Sequence, residues 1–326
     1  MAVTPESERV PGRGLVFAIS SNLLWGLLPL VFFVLRASGP FEIVAWRITL
    51  SLVFCAILLT VTRGWSRFAA LVRDRSAVLT LMLASVLILV NWLVYVYAAV
   101  SGSVIEASLG YFTNPIVTVL LGVFILRERL RPLQWTAVGI SAIAVLVLAI
   151  MHGTFPWIAI TLAFSFGLYG FVKKRIGHRV DALSGLAIET AVLAPVAIAA
   201  LVVIAATSGL TMGRTGTLET VLMLSLGAIT AVPLLLFAAA ARRLPLTYIG
   251  LAQYISPIIQ LVVGVWLLHE DMPAARWVGF GIVWLALGIL TVDLFTFRKV
   301  AAGRARQRDS RLDEDDSAVL SQDHER

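Results

Sequence analysis

Charge spacing constrains this chain more than any other feature of its sequence. Between residues 14 and 297 it runs in apolar stretches of 18 to 24 residues, and nearly every Lys and Arg sits in the short gaps between them. A helix needs about 20 apolar residues to cross a bilayer. The pattern therefore predicts an all-α membrane protein with ten spans, at 14–35, 42–62, 77–98, 104–126, 132–150, 155–172, 183–206, 218–240, 246–268 and 274–297. If the N-terminus is placed inside, the inner gaps and termini carry 22 Lys and Arg, the outer gaps carry 3, and Arg47 lies within a span. Positive charge concentrates on the cytoplasmic side of membrane proteins. The alternation holds at every gap, so both termini are expected in the cytoplasm.

Composition excludes most other classes. Hydrophobic residues make up 59% and charged residues 14%, against roughly 45–50% and 25% in soluble domains. The net charge of +7 is spread through the gaps and forms no nucleic-acid patch. The single cysteine, Cys55, permits no internal disulfide. The four histidines have no metal-ligand spacing. A Gly-x-x-x-x-Gly-Lys-Ser/Thr loop is absent, which argues against an ATP-driven pump. Residues 1–13 are polar, and the run that follows exceeds the 7–15 residues of a signal-peptide core, so it reads as a retained span. Residues 301–326 carry Arg304, Arg306, Arg308 and Arg311 and then a cluster of acids, a composition that predicts a disordered cytoplasmic tail.

The sequence also repeats. At an offset of 142, Asn114-Pro115-Ile116 falls on Ser256-Pro257-Ile258, Gly122-Val123 on Gly264-Val265, Glu128 on Glu270 and Trp135 on Trp277. Apolar matches arise by chance in any two spans, but matched Pro, Trp and Glu do not. Two five-helix repeats are expected, at 14–150 and 155–297. Five is odd, so the second repeat enters the membrane from the opposite side and the two are inverted. Inverted repeats recur in secondary transporters, where two pseudo-equivalent halves expose one central site to either side.

Motifs in both halves carry a family resemblance. They include Asn91-Trp92, Glu106-Ala107-Ser108-Leu109-Gly110-Tyr111-Phe112, Asn114-Pro115, Leu162-Ala163-Phe164-Ser165-Phe166, Ile188-Glu189-Thr190, Val232-Pro233-Leu234 and Gln253-Tyr254-Ile255. Together they resemble the RarD group of the EamA family, within the drug/metabolite transporter superfamily. The resemblance covers about 14–297. It implies a ten-helix permease of the cytoplasmic membrane, with relatives that export amino acids and other metabolites, and it implies no cofactor.

Ionisable and polar residues inside spans tend to face a cavity or a partner, because lipid penalises them. Arg47 reads as a contact for a substrate carboxylate, or as an arginine reaching the outer headgroups or pairing with Glu42. The offset sets Glu189 opposite Arg47, but inversion puts them on different sides of the midplane, which argues against a direct bridge. Glu106 and Glu189 are the proton-coupling candidates, since burial raises a carboxyl pKa. The plainer readings are a helix cap for Glu106 and a structural pair with Lys173-Lys174-Arg175 for Glu189. Tyr111 and Asn114 match Gln253 and Ser256 beside Pro115 and Pro257. A proline within a span removes a backbone hydrogen bond and kinks the helix, leaving a carbonyl to face a cavity. Pro233 is a third such hinge. Trp25, Asn91, Trp92, Tyr169 and Thr230 complete the expected lining, although aromatic residues in spans often serve packing alone.

The expected function is therefore secondary transport of a small metabolite or drug by alternating access, with export as the direction the resemblance implies. The expected partners are a small-molecule substrate and the lipid bilayer, with no nucleic acid; a homodimer is compatible with the sequence. The alternative is a non-transporting receptor or accessory subunit. A membrane-embedded enzyme fits poorly, because the spans hold scattered carboxylates and no histidine pair.

Overall fold

The computed structural model describes residues 12–126, 132–152, 155–177, 179–241, 243–244, 252–274, 276–289 and 291–292. Every regular element among them is a helix. In chain order these are α1 (Gly12–Val34), a 3-10 turn (Leu35–Ser38), α2 (Gly39–Val61), α3 (Trp65–Arg73), α4 (Arg75–Val100), α5 (Val104–Leu126), α6 (Pro132–His152), α7 (Trp157–Ile176), α8 (Ala182–Thr207) and α9 (Thr217–Ala241). Next comes α10 (Ile255–Val262), which passes into a π-helical segment, Val263–Leu267. The helix Arg276–Ile289 follows.

Four helical stretches among the described residues are long and apolar enough to cross a membrane: Gly12–Val61 (α1 with α2), α4, α8 and Thr217–Ala240. Their lipid-compatible faces carry exposed Val53, Ile57, Val86, Val202 and Leu224, among others. Local chemistry sets the helix starts. Asp74 accepts the Ala77 N–H at 3.1 Å and Asp181 accepts the Ser184 N–H at 3.0 Å, so each caps a first turn whose N–H groups have no helical partner. Gly102, at φ +70°, makes the three-residue link between α4 and α5.

The structure departs from the sequence expectation in two places. Residues 65–73, read as part of a loop, form α3, a nine-residue helix too short to span. Its Phe68 and Leu71 pack inward while Trp65 remains exposed. Pro257 is not within the body of a helix. It lies in the first turn of α10, where its missing N–H costs nothing. Pro115 and Pro233 do lie inside α5 and α9. The segment 1–11, the tail 301–326, Glu128 and the first part of the ninth predicted span lie outside the described residues.

Helix packing comes in matched sets. α2 packs on α8 and α5 on α10. The α1–α9 contact has a counterpart in α7–α4, α1–α10 in α7–α5, and α2–α9 in α8–α4. Glycines permit the closest approaches. A Cβ on Gly227 of α9 would collide with the Leu50 carbonyl of α2, and one on Gly110 of α5 would sit 2.7 Å from the Ala159 carbonyl of α7.

Three glutamates cross between residues before 150 and residues after 155. Glu42 accepts the Thr211 N–H at 2.9 Å, Glu106 accepts Ile158 N–H at 3.1 Å, and Glu270 accepts Val104 and Ile105 N–H at 2.7 and 2.9 Å. Each charge is thus spent on backbone donors of a distant segment.

Candidate functional site

The buried polar residues converge where α1, α2, α4, α5, α7, α9 and α10 meet. Arg47 on α2 is at the centre and only 4% exposed. Its Nε donates to Thr230 Oγ1 on α9 at 2.9 Å. Its guanidinium carbon lies 4.3 Å from the centre of the Trp92 ring on α4 and 5.7 Å from that of Phe32 on α1. The Nη1 atom is buried without a hydrogen-bond partner. Among the described residues no carboxylate pairs with Arg47; Glu189 pairs instead with Lys173.

The floor of the site is a hydrogen-bonded seam. Tyr111 Oη donates to Asn91 Oδ1 at 3.0 Å, and Asn91 Nδ2 donates to Ser165 Oγ at 3.1 Å and to the Leu162 carbonyl at 3.3 Å. This ties α5, α4 and α7 together. Tyr95 stands between Phe32 and Tyr111, with ring centres 6.0 and 5.5 Å away. Across the seam, Gln260 Nε2 on α10 donates to Ser256 Oγ at 3.2 Å and to the Trp25 carbonyl at 3.4 Å. The Trp25 ring leans on Phe237 at 5.5 Å. The Pro257 carbonyl accepts a bond from Ser108 Oγ at 2.7 Å.

A second polar cluster lies further along α7. Glu189 on α8 accepts from Lys173 Nζ at 2.7 Å and from Tyr169 Oη at 3.1 Å. Aromatic rings connect it to the first cluster, from Tyr111 to Phe166 at 5.8 Å and from Phe166 to Tyr169 at 6.0 Å. Arg47 and Glu189 thus stand in different clusters and do not bridge.

Among the residues expected from sequence, Trp25, Arg47, Asn91, Trp92, Tyr111, Thr230 and Ser256 belong to the first cluster. Asn114 and Pro115 sit about one turn further along α5, half-buried. Tyr169 and Glu189 form the second cluster, and Glu106 caps α7. Gln253 is exposed, in a turn before α10, and takes no part. The amide that does enter the site is Gln260, which sequence reasoning missed. Its signal was the four-residue spacing from Ser256, which puts both on one helix face. Phe32 and Ser165 were missed as well, since neither stands out in an apolar run.

An all-helical bundle with apolar outer faces and a buried, charged interior defines a multi-pass membrane protein with an internal polar site. The EamA-like transporter family matches residues 12–150 and again 156–292, and the chain belongs to that family. It is 43% identical over 302 residues to Protein RarD of Streptomyces exfoliatus, covering 92% of this chain and 94% of that one. It is 40% identical over 297 residues to the uncharacterized transporter YojE of Bacillus subtilis, covering 90% and 96%. Protein RarD of Escherichia coli is 37% identical over 290 residues, covering 89% and 97%. A protein crystal structure matches with a TM-score of 0.56 at 18% identity, over 86% of this chain and 97% of that one, which shows the shared fold. The chain is a membrane transporter of the RarD type within the EamA family.

Proposed function

We propose that this transporter is a secondary exporter of a small metabolite or drug, working by alternating access. In this reading ten spans form two inverted five-helix repeats, 14–150 and 155–297, and both termini lie on the cytoplasmic side of the inner membrane. The matched packing between the halves carries the reading: α1–α9, α1–α10 and α2–α9 have counterparts in α7–α4, α7–α5 and α8–α4. Two interchangeable arrangements of similar energy are what a rocking mechanism needs. The gapless offset of 142 and the charge count of 22 against 3 support the same topology, as does the family's double match.

In the present conformation Arg47, Asn91, Thr230 and Gln260 are each at most 4% exposed, so a solute reaches them only after helices separate. Pro115 and Pro233, each removing one backbone hydrogen bond within α5 and α9, supply hinges for that movement. The test is untargeted metabolite profiling of medium and cytoplasm with the gene deleted and overexpressed, followed by flux of the responding compound in proteoliposomes. Export predicts accumulation in the deletion strain and depletion on overexpression. If no compound responds and the reconstituted protein moves none of a broad panel under any ion gradient, the reading fails.

A further inference from the structure

The polar interior has an unequal charge balance. Arg47 brings one positive charge into a site where Trp92, Phe32, Thr230 and Tyr95 surround it. Its Nη1 is buried and unbonded. A buried charge without a partner is strongly disfavoured, so it persists where function supplies the counter-charge. The carboxylates that might have served are occupied elsewhere. Glu189 holds Lys173 and Tyr169, Glu42 holds the 211–212 backbone, Glu106 holds the start of α7, and Glu270 holds the start of α5. Among the described residues, the site thus offers an anion a positive charge but offers a cation no negative one.

Two further groups shape the ligand. Gln260 Nε2 is fixed by the Trp25 carbonyl, which accepts only a donor, so Gln260 Oε1 is left as a buried, unbonded acceptor. The guanidinium carbon lies over the Trp92 indole, and Nη1 is left as a donor that an oxyanion can take. Resting on the transporter reading above, we infer that the site takes a net monoanion: a carboxylate or like oxyanion at Arg47, on a flat apolar body with room for a neutral hydrogen-bond donor toward Gln260, without an ammonium group. An amino acid zwitterion brings a second charge, and among the described residues the site offers no carboxylate to match it.

The test uses the purified full-length protein in detergent and five probes: benzoate, benzamide, benzylammonium, phenylalanine and chloride. Thermal stability and tryptophan fluorescence are the readouts. Benzoate should raise the melting temperature and change the fluorescence at concentrations where the other four do neither. Arg47→Gln should weaken benzoate binding about tenfold or more, the scale of a charged hydrogen bond. Arg47→Lys, which keeps the charge and guards against misfolding as an explanation, should retain part of it. Trp92→Phe should lose most of the fluorescence change but keep the melting shift. Benzamide, benzylammonium or phenylalanine binding as well as benzoate would overturn the inference. So would benzoate binding equally to Arg47→Gln, or chloride alone giving the full effect. Benzoate binding through Arg47 with no flux of any solute would sink the transport reading and leave this one standing. Flux of uncharged or cationic solutes unaffected by Arg47→Gln would do the reverse.

Discussion

The guanidinium carbon of Arg47 lies over the Trp92 indole, 4.3 Å from the ring centre, so an aromatic face stands where a membrane-buried cation usually meets a carboxylate. The ring's negative face offsets part of the desolvation of the charge, and such a contact is worth about 0.5–2 kcal/mol. Thr230 bonds the Nε and sets the guanidinium's orientation. Trp92→Leu should therefore lower the melting temperature of the purified protein, and Trp92→Phe should recover more than half of the loss. Thr230→Val, which is similar in shape, should cost about 1–3 kcal/mol because it leaves Nε buried and unbonded. Equal melting temperatures for wild type and Trp92→Leu would show that the stacking contributes nothing.

Two glycine crossings against backbone carbonyls give a packing prediction. Gly227 and Gly110 meet backbone carbonyls, of Leu50 and Ala159, at distances no Cβ tolerates. Backbone cannot swing aside as a side chain does. Gly227→Ala and Gly110→Ala should each force a helix pair apart and destabilise by about 1–3 kcal/mol, the usual range for overpacking. Gly139→Ala is the control, since a Cβ there meets nothing within 4 Å. Its melting temperature should match wild type or exceed it.

How far the sequence could be read follows from the physics of each feature. Helix positions were legible because lipid forces long apolar runs, and charges mark where they end. Arg47, Asn91 and Thr230 stood out because a polar group in such a run needs a reason. The offset of 142 aligned Tyr111 with Gln253, but the chain turns at 253–254 and starts α10 only at Ile255. That turn leaves Gln253 outside and brings Gln260 in. α3 was too short to register as a span. Glu42 and Glu270 act on backbone N–H groups more than 160 residues away, and such partners leave no trace in side-chain spacing. Arg47's neighbours Phe32 and Trp92 come from different helices, which only the packing unites.

Two carboxylates outside the membrane-spanning helices should respond to pH with opposite sign. Burial raises the pKa of Asp181, but hydrogen bonds from the Ser184 backbone and side chain, the charge of Arg67 and the Leu183 N–H outweigh it, and the net shift is downward. Its contribution to stability is present above the unfolded value of about 3.9 and is lost as pH falls through the lower folded value. Burial raises the pKa of Glu270 and dominates over the N–H bonds from Ile105 and Val104 and the charge of Arg276. Its contribution is present below the unfolded value of about 4.3 and is lost as pH rises through the higher folded one. On acidification the stability gap between wild type and Asp181→Asn should close, while wild type should gain on Glu270→Gln. Melting temperatures of the three proteins over an acid pH series give both slopes, and parallel curves would contradict both assignments.

The Lys173–Glu189 pair separates a structural role from a proton-carrying one. The Glu189 side chain is 2% exposed and that of Lys173 27%, so the two lose their partner under different conditions. Lys173→Met strands a carboxylate in the interior, where only Tyr169 remains to bond it. Glu189→Gln strands an ammonium on a flexible stem that already reaches solvent. Lys173→Met should therefore destabilise the protein more than Glu189→Gln. The double variant should regain much of the loss, because removing both charges costs less than breaking a buried pair. If Glu189 also carries the coupled proton, Glu189→Gln should abolish flux driven by a pH gradient while exchange of substrate across liposomes continues. A purely structural pair should instead lower both together, in proportion to the fraction of folded protein. The ratio of driven flux to exchange in Glu189→Gln thus distinguishes the two roles, whatever the variant's stability.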